Sequence, residues 1–207
     1  MVGYLGTGAL GTGTKALFDD GTWKVPAGGG SGGALVLLQS LTASASATLD
    51  FTTFISSTYD DYLFRFIGIV PATDGVALWM RMGTGGGPTW DSGAKYQWIH
   101  LEYVAGGTSS AGNDTGSATS IQLASAITNV ANFSYNGSLN CYDPGGARYK
   151  SIEAQFHGRY STGDARRRAV QVAGEYESTT AVTGVQFLVS SGNIASGTIR
   201  VYGIAKS

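Results

Sequence analysis

The sequence predicts an all-β fold: a sandwich or barrel of about eight or nine short antiparallel strands behind an extended glycine-rich arm. Three observations carry this expectation. Charged residues make up only 13% of the 207-residue chain, about half the usual share near 25%. That leaves too few Glu and Lys positions for long amphipathic helices. Glycine contributes 32 residues, about twice its ordinary frequency, as many tight turns require. Apolar runs of strand length return at regular spacing, with turn-forming clusters between them.

Residues 1–33 stand apart as an anchoring arm and linker, and residues 34–207 form the β-sandwich domain. The arm holds eleven of the 32 glycines, and Gly28 to Gly33 has the composition of a flexible linker. Asp20-Gly21 marks a turn, flanked by the apolar Leu17, Phe18, Trp23 and Val25. So much glycine cannot build a core, yet two large aromatics need cover. The arm is therefore expected to order against the body, a neighbouring subunit or another protein, with those four residues as its anchor.

From Ala34 the strand signals come in order. They are Leu35–Leu38, Tyr62–Val70, Val76–Met82, Tyr96–Tyr103, Ile121–Ala126, Ile152–Phe156, Val170–Tyr176, Val185–Val189 and Thr198–Ile204. In the third run Val76, Leu78, Met80 and Met82 share one face, and in the sixth Ile152, Ala154 and Phe156 do. Tyr62–Val70 is apolar on both faces, as a central or covered strand is. Ile199 and Val201 are expected in the core, with Arg200 and Tyr202 on the opposite face. Gly106–Gly116, Asn136-Gly137 and Asp143 to Gly146 are expected to be turns. Ser120–Val130 is the best helix candidate, though short and rich in β-branched residues and serine.

Net charge is −1, which offers nothing to neutralise a phosphate backbone, so a nucleic-acid partner is not expected. Arg166-Arg167-Arg168 is too short a basic run to change that. Low charge favours association over an isolated monomer. No apolar stretch reaches 18 residues, so no membrane insertion is expected, and Met1 to Gly6 has no signal-peptide character. The single Cys141 excludes an intramolecular disulfide.

Chemical motifs are sparse. Gly6-Thr7-Gly8-Ala9-Leu10-Gly11 fits a dinucleotide fingerprint in letters, but no strand precedes it and no helix follows. His100, His157 and Cys141 stand alone, without metal-ligand spacing. No Ser sits in a nucleophile elbow. Asp19/Asp20, Asp60/Asp61, Glu102, Glu153, Glu175 and Glu177 are acids that could serve glycoside hydrolysis, although polar strand faces and turns hold such acids routinely. No catalytic residue, metal or cofactor is therefore assigned. Trp79, Trp90, Trp98, Tyr96 and Tyr142 could stack on sugars; Trp90 and Tyr142 are the candidate glycan contacts. Asn113-Asp114-Thr115, Asn132-Phe133-Ser134 and Asn136-Gly137-Ser138 match the glycosylation sequon and are taken as turn and loop chemistry.

Three segments resemble bacteriophage tail-fibre and spike proteins, or head fibres of the virion surface. Leu17-Phe18-Asp19-Asp20-Gly21-Thr22-Trp23-Lys24-Val25-Pro26 is similar to their D-G-T-W connector. Ser44 to Thr52, leading through Tyr59-Asp60-Asp61-Tyr62 to Pro71-Ala72-Thr73-Asp74-Gly75, looks like the start of their C-terminal domain. Ser191 to Ile204, with Ile199-Arg200-Val201-Tyr202-Gly203-Ile204, looks like its closing strand. The resemblance implies a jelly-roll-like sandwich that assembles as a homotrimer on the virion surface and is not an enzyme. Its partners would be other virion proteins, held through residues 1–33, and a host-surface glycan or protein. In long fibres the connector follows a shaft, whereas here it lies almost at Met1; attachment directly through residues 1–33 is expected. A tail fibre or spike and a capsid decoration or head fibre fit equally. A carbohydrate-binding module or glycan hydrolase, using Trp90, Tyr142 and Glu175 or Glu177, is the alternative of another class.

Overall fold

The computed structural model describes residues 16–17, 23–24, 35–161 and 164–205. In the arm, β1 (Ala16–Leu17) and β2 (Trp23–Lys24) pair antiparallel, with Leu17 opposite Trp23. The other two anchor residues, Phe18 and Val25, lie outside the described residues.

The body is a two-sheet antiparallel sandwich, not a closed barrel, and it holds thirteen strands rather than eight or nine. They are β3 (Leu35–Ser46), β4 (Thr48–Phe51), β5 (Tyr59–Pro71), β6 (Val76–Thr84), β7 (Thr89–Trp90), β8 (Tyr96–Val104), β9 (Thr108–Ala118), β10 (Ile121–Ile127), β11 (Tyr135–Tyr142), β12 (Lys150–Ser161), β13 (Asp164–Tyr176), β14 (Val182–Val189) and β15 (Ile194–Ala205). The larger sheet runs β3-β15-β5-β11-β12-β13-β8-β9, and the smaller runs β10-β6-β14-β4 with β7 added beside β6.

Eight of these strands have the jelly-roll order. β3-β15-β5-β11 face β4-β14-β6-β10, and successive strands of the eight change sheet except at the step from β6 to β10. The remaining long strands are insertions. β8 and β9 enter between β6 and β10, and β12 and β13 enter between β11 and β14. They dock side by side as a four-stranded wing that extends the larger sheet.

Alternation along each strand places the core. Phe64 of β5 meets Phe51 of β4 and Phe187 of β14 edge to face, Phe66 of β5 meets Phe187 and also Phe156 of β12, and Phe51 meets Phe187, with ring centroids 4.9–6.0 Å apart. Such pairs add about 0.5–1.5 kcal/mol each beyond area burial. The closing strand β15 lies between β3 and β5, with Ile199 and Val201 fully buried and Arg200 exposed on the other side.

Four local expectations change. Ser120–Val130 is strand β10 and not a helix: its β-branched and small residues pair with β6 and bury Ile121, Leu123 and Ile127. Asn136-Gly137 is inside β11, at a register shift against β5, where the Asn136 side chain accepts the Gly68 N–H at 2.8 Å in place of a ladder bond. Gly106–Gly116 is a turn only at its start; most of it is β9. β4 and β11 were not among the apolar runs, because their inward residues are separated by polar ones.

Truncation after Gly197 should give insoluble protein, because β15 carries ladders on both sides and two fully buried aliphatic side chains. By area these losses are on the order of 5 kcal/mol, comparable to a whole domain's stability. Recovery of soluble, cooperatively melting protein would show that β15 is dispensable.

Candidate functional site

The wing's inner face explains how it is held. Besides one link in which the Met82 N–H of β6 donates to the Tyr96 hydroxyl of β8 at 3.0 Å, the smaller sheet meets it mainly along β10. Glu102 of β8 and Arg168 of β13 lie there, both buried. Arg168 donates from Nη1 to Glu102 Oε2 (3.2 Å) and to Ser125 Oγ (3.2 Å), and from Nη2 to the Ala126 carbonyl. Ser125 donates its N–H to Glu102 Oε1 (3.2 Å) and its hydroxyl to Oε2 (3.0 Å). Two wing strands and β10 are thus joined by one buried charged network. His100 sits beside it, 3.6 Å from Glu102 Oε1 and stacked on Trp98. A Cβ at Gly112 would come within 2.6 Å of the His100 ring, so only glycine lets β9 pass there. Burial holds the His100 imidazole below its ordinary value; Glu102 opposes that shift and Arg168 adds to it.

The outer face of the larger sheet is a trough. Four depressions of 550–720 Å³ follow one another along β12 and β13. Neighbouring depressions share their lining: Asn136, His157 and Ala169, then Ser138, Gln155 and Gln171, then Ile99, Glu153 and Ala173. From Ser151 to Arg159 the trough is about 27 Å long at the usual strand rise.

Cross-strand register builds it. Small side chains, Ala169 and Ala173 of β13 and Ser138 of β11, lie on its floor. One wall is Ile99, Leu101 and Tyr103 of β8, all exposed; the other is Arg65 and Ile67 of β5. Gln155, Gln171 and Asn140 supply hydrogen-bonding groups along it. Its ends differ in charge: Arg159 and Arg167 at one, Glu153 and Glu175 at the other.

Tyr142 stands at the acidic end and donates its hydroxyl to Glu153 Oε2 at 3.1 Å. Burial, together with that carboxylate, raises its phenol above the ordinary value. Glu177 lies beyond that end and accepts from Gln97. Trp90 lies elsewhere. Its ring covers Gly83 and Gly184 on the smaller sheet, where a Cβ would meet it at 2.7 and 3.0 Å. The two candidate glycan contacts therefore occupy opposite sheets and do not line one groove. Trp98 is turned toward His100.

Among the described residues no three His, Cys, Asp or Glu side chains are placed to hold a metal ion, and no helix is long and apolar enough to cross a membrane. No family model, curated protein or solved structure matches the chain.

Two outcomes follow from the network. Glu102→Gln should cost about 3–5 kcal/mol in denaturant unfolding, because it leaves Arg168 without its charged partner. Glu102→Leu with Arg168→Met together should cost clearly less. An equal or greater loss in the double variant would show that the pair is not what is being measured. The second outcome concerns pH. The unfolded chain protonates His100 near pH 6.5, and the folded chain only at lower pH, so unfolding takes up a proton in that window. The melting temperature should fall from about pH 7 to about pH 5.5, and less steeply in His100→Phe. Parallel profiles for the two proteins would exclude His100 as the source.

Proposed function

We propose that this chain is a structural protein of a bacteriophage virion: a short homotrimeric fibre or spike on the particle surface that contacts the host through the outer trough of its wing. The observation that carries the proposal is the trough itself. It spans the wing and the adjoining jelly-roll strands β11 and β5, and it presents amides, hydroxyls and charges from a rigid sheet. The D-G-T-W segment supplies the other half of the reading, an arm that holds the protein on the particle. Two of its anchor residues, Leu17 and Trp23, are backbone partners.

Self-association has a place to occur. Leu35, Val36 and Leu37 are consecutive and exposed at the start of edge strand β3. An open apolar edge of this kind invites pairing with another chain.

We assign no catalytic role. Glu153 is engaged by Tyr142 and Glu177 by Gln97, which is how polar sheet faces hold acids. Burial pushes the Cys141 thiol up to about 12, so it keeps its proton. A capsid decoration or head-fibre protein would share the fold, arm and trough and differ only in address; labelling intact particles distinguishes head from tail. A free carbohydrate-binding module would use the same trough without the particle.

Mass spectrometry of purified particles should detect the full chain, and its solution mass should be three times that of one chain. Deleting residues 1–26 should leave the trimer intact and remove it from particles. A monomeric full chain, or absence from particles, would contradict the proposal.

A further inference from the structure

At the basic end of the trough, Arg159 and Arg167 are direct cross-strand partners on the outer face of β12 and β13. Like charges placed opposite one another destabilise a sheet. Arg159 lies over the Phe133 ring, 4.0 Å from its centroid, which fixes one guanidinium in place. Tyr103 and the turn at Asn132–Ser134 wall a cavity of about 650 Å³, with His157 on the same face. Among the described residues that line it, none is acidic. Arg168 is turned to the interior, where Glu102 balances its charge. The cavity therefore gathers two guanidinium groups beside two aromatic side chains, Tyr103 and Phe133.

We propose that this cavity binds the carboxylate-bearing unit of an acidic saccharide. A guanidinium fork matches a carboxylate in two parallel hydrogen bonds, which a point charge does not. Tyr103 and Phe133 give the apolar face of a sugar ring a surface to rest on. From the cavity the trough continues past Gln155, Gln171, Ser138 and Asn140, groups suited to sugar hydroxyls. Its far end carries Glu153 and Glu175, which repel a uniformly anionic polymer. That selects a polysaccharide with spaced acidic units over nucleic acid or a densely sulfated chain. The proposal rests on the attachment role given above, because it names what the trough would hold.

The test uses the full chain in calorimetric titrations. The probes are hyaluronan and polygalacturonate oligosaccharides, sialyllactose, neutral lactose and maltohexaose, a glutamate-rich peptide and sodium sulfate. At least one acidic saccharide should bind, the neutral sugars should not compete, and binding should weaken as sodium chloride is raised. Arg167→Ala should lower its affinity at least about tenfold, as the loss of a charge-assisted contact does. The melting temperature of Arg167→Ala should match or exceed that of the wild type, since an opposed charge is removed; binding loss is then not unfolding. Three results would overturn the proposal: no acidic saccharide binds, sulfate or the peptide binds as tightly as the best saccharide, or Arg167→Ala binds unchanged. Presence in purified particles is read separately. A chain found in particles that binds no acidic saccharide defeats this proposal alone. A chain absent from particles that binds one through Arg167 defeats the virion role and leaves the site standing.

Discussion

The buried pairing of Glu102 with Arg168 is the constraint on which the outer surface depends. The eight jelly-roll strands enclose Phe51, Phe64, Phe66 and Phe187, and the inward residues of the wing extend the same core. The wing rests mainly on β10, and two strands of the wing are held to that strand in a fixed register. An apolar contact there would permit sliding, since apolar packing is not directional. The guanidinium is directional: it reaches Glu102, Ser125 and the Ala126 carbonyl together. Desolvation offsets much of the Coulomb gain in such a pair, so its value here lies more in fixing where β8 and β13 sit than in net stability.

That fixed position turns alternation into a surface. Every inward residue of β13, such as Val170 and Val172, has an outward neighbour on the trough floor, such as Ala169, Gln171 and Ala173. A register slip of one residue would exchange the two sets. Gly174 shows how close the inner packing is: a Cβ there would lie 2.9 Å from Ile121 of β10. The tight fit beneath the sheet and the open trough above it are two faces of the same strands.

Much of the fold was legible in the sequence, because the nine apolar runs are also nine of the strands. What escaped was built from small and polar residues. β9, Thr108–Ala118, contains Gly112 and Gly116 and carries Asp114, whose carboxylate accepts N–H groups of Gly116, Ser117 and Ala118. Local composition there reads as a turn, and pairing with β8 overrides it. Asn136-Gly137 misleads in the same way. The trough was not legible at all, because its members come from five strands and meet only through register. One signal was present: Arg159 and Arg167 lie equally far from the glycine of Ser161-Thr162-Gly163-Asp164, so a hairpin there makes them neighbours. The run Arg166-Arg167-Arg168 reads as too short to form a basic footprint. Strand alternation sends Arg167 outward and Arg168 into the interior.

The most direct measurement is competition for the host surface. Adsorption of labelled particles to host cells is followed as purified full chain is added, and again with Ala169→Trp, which fills the trough floor with a bulky side chain. The wild-type chain should reduce adsorption in a dose-dependent way, and the filled variant should not, while both melt as folded proteins. Equal competition by the two, or none by either, would contradict a trough that contacts the host.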